Sequence, residues 1–131
     1  MADMQLLGIH HIAIITGRYA ESKAFYTGVL GFSILRETYR AERDSYKLDL
    51  ALDGRYMIEL FTFPDAPPRP SYPEARGLRH LAFAVADIGA AAAELRDKGV
   101  EVQPVRLDEL TGRRFTFFAD PDGLPLELYE L

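Results

Sequence analysis

The stretch GIHHIAIIT at residues 8–16 returns as GLRHLAFAV at residues 77–85, with Gly8, His11 and Ala13 matched by Gly77, His80 and Ala82. A repeat of this kind constrains the fold before any single residue does. Two copies of one supersecondary unit, each with one apolar face to hide, must pack as paired modules. Both segments alternate like half-buried strands.

A helical pattern follows each strand. In the second half Asp87 is a predicted N-cap, Ile88, Ala91, Ala92 and Leu95 share one face, and Gly99 ends the helix. In the first half the counterpart is ESKAFYTGVLGF, with Phe25, Tyr26 and Val29 on one face and Gly31 as terminator. Gly28 weakens that helix. Strands are then predicted near 32–40, 45–52 and 55–63, and again near 101–107, 113–119 and 124–130. Each last hairpin turns on Asp-Gly, at Asp53-Gly54 and in Asp120-Pro121-Asp122-Gly123. The fold class is therefore α+β: two tandem βαβββ modules within a single domain, one over 6–63 and one over 77–131. They are joined by a proline-rich linker over 64–76 that holds Pro64, Pro67, Pro68, Pro70 and Pro73.

Each module closes on a strand carrying one glutamate: MIELF with Glu59, and LPLELYEL with Glu127. An ionised carboxylate in an apolar strand must face water or meet a positive partner, because burying it alone costs several kcal/mol. Alternation puts His11 on a face with Ala13 and Ile15, and His80 with Ala82 and Ala84, leaving the larger apolar residues for the other face. Alanine beside histidine leaves room, as a cavity wall does. His10, next in sequence to His11, should face the other way. A lone strand histidine is more often a hydrogen-bonded structural residue than a ligand, and a lone strand glutamate is usually solvated. Two histidines and two glutamates recurring at matching places in two repeats point instead to a divalent metal site.

Composition narrows the partners. The chain has 131 residues, 48% of them hydrophobic, which is enough for a real core. A net charge of -5 with scattered basic residues argues against nucleic-acid and anionic-membrane binding. The absence of cysteine removes disulfides and thiolate chemistry. The N-terminal stretch lacks the pattern of a signal peptide, and no apolar run approaches the roughly 20 residues that cross a bilayer, so a cytoplasmic location is expected.

With its paired modules, the segment FYTGVLGF, the ending DPDGLPLELYE, and His11, Glu59, His80 and Glu127 in that order, the chain resembles the vicinal oxygen chelate superfamily. Within it the likeness is to bacterial glyoxalase I, or lactoylglutathione lyase, and runs from about Leu6 to Tyr129. Methylmalonyl-CoA epimerase is a near neighbour.

The resemblance implies a cupped, barrel-like mixed sheet with helices outside. It implies one divalent ion (nickel, zinc, cobalt, manganese or iron) held by His11, Glu59, His80 and Glu127. It also implies lyase or isomerase chemistry, in which the metal chelates adjacent oxygens while a carboxylate moves a proton between neighbouring carbons. Glu127 is the expected principal shuttle and Glu59 the second carboxylate. A small-molecule substrate such as a thiol hemithioacetal, and a homodimer, are the expected partners.

Two departures bear on the substrate. Ile15 and Phe63 stand where glyoxalase I has an arginine and an asparagine that serve glutathione, so an apolar wall replaces two polar contacts. Arg113 and Arg114 lie adjacent on a strand, and alternation turns one of them inward as a candidate anion contact; the alternative is two solvated edge arginines. Two other functions share the fold: a metal-containing binding or resistance protein, and a thiol transferase.

Overall fold

The computed structural model describes residues 4–131, which divide into two compact units, one running up to Ala66 and the other starting at Pro67. The first contains β1 (Ile12–Ile15), α1 (Tyr19–Ala24), β2 (Ser33–Arg40), β3 (Ser45–Leu52) and β4 (Arg55–Phe61). The second contains β5 (Leu81–Val85), α2 (Ile88–Asp97), β6 (Arg106–Asp108), β7 (Arg113–Ala119) and β8 (Pro125–Glu130). Both are βαβββ modules, as the repeat predicts.

Each unit builds one open four-stranded sheet, in the orders β1-β4-β3-β2 and β5-β8-β7-β6. In both, the first and last strands run parallel and the remaining pairs antiparallel. A parallel pair needs a crossover, which the helix supplies. The sheets are mixed and neither closes on itself, so each module is an open sheet with its helix rather than a barrel.

The strands split as alternation requires. Ile14, Leu48, Leu50, Ile58 and Leu60 are buried in the first unit with Phe25 and Tyr26 from the helical segment. Leu126, Leu128 and Phe118 are buried in the second with Ile88, Ala92 and Leu95 of α2. Asp87 caps α2, its side chain accepting from the Ala90 amide at 3.0 Å, and Gly99 leaves the helix at φ +84°.

The first helix departs from expectation. Its regular turns stop at Ala24, and Phe25–Val29 form a π turn before Gly31 (φ +84°) ends the segment. The wider turn contains Gly28, the poor helix former of this stretch. A buried hydroxyl pair, Thr16 Oγ1 and Ser22 Oγ at 2.7 Å, fastens the helix to the end of β1. The strand expected at 101–107 shortens to Arg106–Asp108 because Pro104 offers no amide to a ladder. Among the described residues no helix is long and apolar enough to cross a membrane.

Candidate functional site

The parallel pairings fix the site residues. Ala13 lies beside Glu59 across β1 and β4, and Ala82 lies beside Glu127 across β5 and β8. The preceding histidine of each half thus reaches the glutamate of its own unit: His11 Nε2 is 3.3 Å from Glu59 Oε1, and His80 Nε2 is 3.1 Å from Glu127 Oε1. Ala13, Ala82 and Ala84 are exposed beside these pairs, so the face that alternation assigned to the histidines is open.

The separation within each pair matches that of neighbouring ligands to one ion. Two donors each about 2.1 Å from a cation and roughly at right angles lie about 3 Å apart, close to both separations. Imidazole and carboxylate together suit a divalent first-row ion. Neither unit carries a full set by itself. Among the described residues no group of three or more histidine, cysteine, aspartate or glutamate side chains is placed to hold a metal.

The surroundings of the two glutamates differ. Glu59 Oε2 accepts a hydrogen bond from the Tyr56 hydroxyl at 2.5 Å and lies 3.4 Å from the Lys47 ammonium. Both partners also engage Asp49, a buried carboxylate, at 2.8 and 3.0 Å. Burial pushes the Glu59 carboxyl up, but the hydrogen bonds from Tyr56 and Lys47 outweigh it and leave the group below its ordinary range. Burial first, then the two carboxylates, raise the Tyr56 phenol, which stays protonated and donates. The Asp49 contact raises the Lys47 ammonium, so it stays charged.

Sequence reasoning missed Lys47, Asp49 and Tyr56. Strict alternation places Tyr56 opposite Glu59. A register shift between β3 and β4 overrides it: Leu50 pairs with Ile58 and Ala51 with Tyr56, so Met57 is the extra residue. The bulge re-aims the phenol onto the carboxylate. Lys47 and Asp49 were readable in principle, since they alternate with the buried Leu48 and Leu50.

Glu127 has no such support. Among the described residues its one polar partner is His80. Phe117 occupies the position across the ladder that Asp49 has in the first unit, and Phe115 the position of Lys47. The His80 ring stands edge-on to Phe117 with centroids 5.1 Å apart, and its Nδ1 is buried without a hydrogen-bond partner.

Of the expected substrate contacts, Ile15 is exposed and pairs with Phe61, and Phe63 stacks on Phe61 with centroids 5.8 Å apart. Phe61 and Phe63 follow Glu59 in strand alternation, so the apolar wall lies on the glutamate face. Arg113 alternates with Phe115 and Phe117 and shares the Glu127 face. Arg114 does not: it turns the other way, where Glu130 grips its guanidinium at 2.8 and 3.0 Å. That ion pair makes Arg114 a structural residue. His10 also departs from expectation. It precedes β1, where alternation does not govern, and its Nδ1 lies 2.9 Å from that of His11.

The model of the Glyoxalase/Bleomycin resistance protein/Dioxygenase superfamily matches residues 8–128. The uncharacterised protein YwkD of Bacillus subtilis is 63% identical over 97% of this chain and 99% of its own length. A lactoylglutathione lyase of Salmonella typhimurium is 32% identical over 92% of this chain and 90% of its own. The crystal structure of a glyoxalase family protein from Enterococcus faecalis superposes with a TM-score of 0.91 at 50% identity, covering 97% of this chain and all of that one. With its doubled βαβββ fold and repeated histidine–glutamate pair, the chain belongs to the glyoxalase/bleomycin resistance/dioxygenase superfamily, the vicinal oxygen chelate proteins.

Proposed function

We propose that the chain is a divalent-metal-dependent lyase or isomerase of the glyoxalase I kind, moving a proton between adjacent carbons of a small substrate that carries two neighbouring oxygens. The observation that carries this reading is the histidine–glutamate pair, set in the same strand register in both modules. Distant relatives bear names that fit proton-transfer chemistry, a lactoylglutathione lyase and a 2-epi-5-epi-valiolone epimerase among them.

His11, Glu59, His80 and Glu127 would hold the ion, two ligands from each kind of module. Bound there, a divalent ion stabilises negative charge developing on adjacent oxygens. The chain's own residues divide the remaining work. Glu59 is pinned by Tyr56 and Lys47 and serves as a fixed ligand. Glu127, whose one polar partner among the described residues is His80, is the carboxylate left to take the proton. Ile15 and Phe63 wall the site with apolar surface, which favours a substrate smaller or less polar than the glutathione adduct. We propose a homodimer, because relatives of this length commonly build or complete their sites across a twofold axis.

The test is to load the protein with nickel, cobalt, manganese, iron or zinc and screen hemithioacetals of several thiols. About one ion per chain, and a metal-dependent loss of substrate signal without thiol consumption, are expected. Binding without turnover would favour a sequestering protein, and loss of free thiol a thiol transferase. Full metal occupancy in the double variant His80→Ala, Glu127→Ala would sink the ligand assignment. Sedimentation that shows only monomer with the metal bound would remove the dimer.

A further inference from the structure

The second unit contains an open cleft of about 730 Å³ beside His80, between residues 69–75 of the linker region and the sheet face that carries Phe117. Its lining includes three arginines, Arg69, Arg79 and Arg106, against two glutamates, Glu74 and Glu101. Two of the arginines are already engaged. Arg69 ties the linker to Ser71 and to the carbonyls of Leu78 and Arg79, and Arg79 is paired with Glu74 at 2.7 Å.

Arg106 is placed differently. Its guanidinium lies over the Phe115 ring at 4.9 Å from the centroid and near Phe117 at 5.8 Å. Its one polar partner among the described residues is the neutral side-chain oxygen of Gln103, at 3.2 Å. A guanidinium has five N–H donors in a rigid fork, so most of these remain unused. Stacking on rings immobilises the plane and leaves its N–H edges free. The same Phe117 ring carries His80 on its edge, so the cation and the His80 imidazole are one phenyl ring apart. The ladder agrees: Arg106 pairs with Phe115, and Phe117 with Glu127, so all four side chains share one face.

We propose that Arg106 is the anchor for a carboxylate on the substrate, which makes the substrate class a small organic acid with its vicinal oxygens at the end nearest His80 and Glu127. The inference rests on the function proposed above for that pair and adds the chemistry of the far end of the substrate. A planar carboxylate matches the guanidinium fork, and the aromatic floor excludes water from one side of the contact. The rest of the cleft carries one engaged arginine–glutamate pair, the linker clamp and Glu101, so among the described residues Arg106 is the arginine of the cleft left to bind an anion.

The test uses metal-free protein labelled with nitrogen-15, with propionate and its neutral isostere propionamide as probes. Propionate should shift the Arg106 Nε–Hε and Phe117 signals saturably, and propionamide should bind at least about tenfold more weakly. Arg106→Gln should lose about tenfold or more of the propionate affinity, and Arg106→Lys should retain part of it. Equal binding of the two probes to the wild-type protein overturns the proposal, and so does unchanged propionate affinity in Arg106→Gln. Metal stoichiometry, measured after a portion of the same preparation is loaded with nickel, cobalt, manganese, iron or zinc, separates the two readings. Normal metal content with no propionate binding removes the anion anchor alone. Propionate binding through Arg106 with no metal uptake removes the metal reading and leaves the anchor.

Discussion

The two modules place their histidine and glutamate in matching strand register and then surround the glutamate in opposite ways. Across the ladder from Glu59 stands Asp49, with Lys47 two residues earlier and Tyr56 turned in by the bulge. Across from Glu127 stands Phe117, with Phe115 two residues earlier, and the ladder between β7 and β8 has no bulge. The backbone of the repeat thus delivers two equivalent histidine–glutamate pairs, while the neighbouring side chains give one carboxylate two further polar partners and the other an aromatic neighbour. A symmetric fold can house an asymmetric reaction when only the outer contacts diverge.

The largest expected effect follows from this division. Glu127→Gln should lose about a hundred- to ten-thousand-fold in kcat on the best substrate found, while its metal content falls only modestly. An amide oxygen still ligates but cannot shuttle a proton. Glu59→Gln should cost less in kcat and more in metal affinity. Steady-state kinetics on metal-loaded samples of both variants settle the matter. Equal losses would mean that the two carboxylates exchange roles, and wild-type turnover in Glu127→Gln would end the proton-shuttle reading.

The support around Glu59 predicts a second effect, confined to the first module. Tyr56→Phe removes a hydroxyl that serves both Glu59 and Asp49. Outer contacts of this kind are typically worth about 10–100-fold in metal affinity, and a hydrogen bond to a charged group about 1.5–3 kcal/mol of stability. Competition with a chelator and urea unfolding measure the two losses. No change in either would show that the bulge holds Tyr56 for another reason.

The repeat made the fold and the two histidine–glutamate pairs legible because both depend on strand alternation and on His-to-Glu spacings that differ by a single residue between the halves. The support around Glu59 depends on a register shift that alternation cannot foresee. Counting back from the Asp53-Gly54 turn would set Asp49 against Ile58, and the extra residue in β4 sets it against Glu59 instead. Nothing in RYMIELF marks a bulge. Arg113 and Arg114 were ambiguous for a related reason: alternation says that one faces in, but only the tertiary partner Glu130 shows which one does not. Arg106 lies within a predicted strand, but its significance comes from the rings beneath it, which lie on the neighbouring strand.

A smaller effect sharpens the comparison where the modules agree. Each helix is fastened to its sheet by a surface carboxylate. Glu37 on β2 accepts hydrogen bonds from Tyr19 and Lys23 of α1, at 2.5 and 2.9 Å. Glu130 on β8 accepts from the Ile88 amide at the start of α2, at 3.0 Å, and from Arg114. The Tyr19 and Lys23 hydrogen bonds hold Glu37 below the ordinary carboxylate range, and those from Arg114 and Ile88 do the same for Glu130. A group whose pKa is lower folded than unfolded binds protons more readily in the unfolded chain. Its stabilising contribution is therefore complete above the unfolded value, about 4.3 for glutamate, and fades as the pH falls below it. Both groups lie at the surface, so solvent screening keeps the effect small. Hydrogen exchange followed from about pH 5 down to pH 3 should show α1 and α2 loosening together in the wild-type protein. Glu37→Gln should flatten the response of α1 alone, and Glu130→Gln that of α2 alone. If either substitution changes both helices equally, the carboxylates act through the stability of the whole chain and the two modules do not respond as separate units.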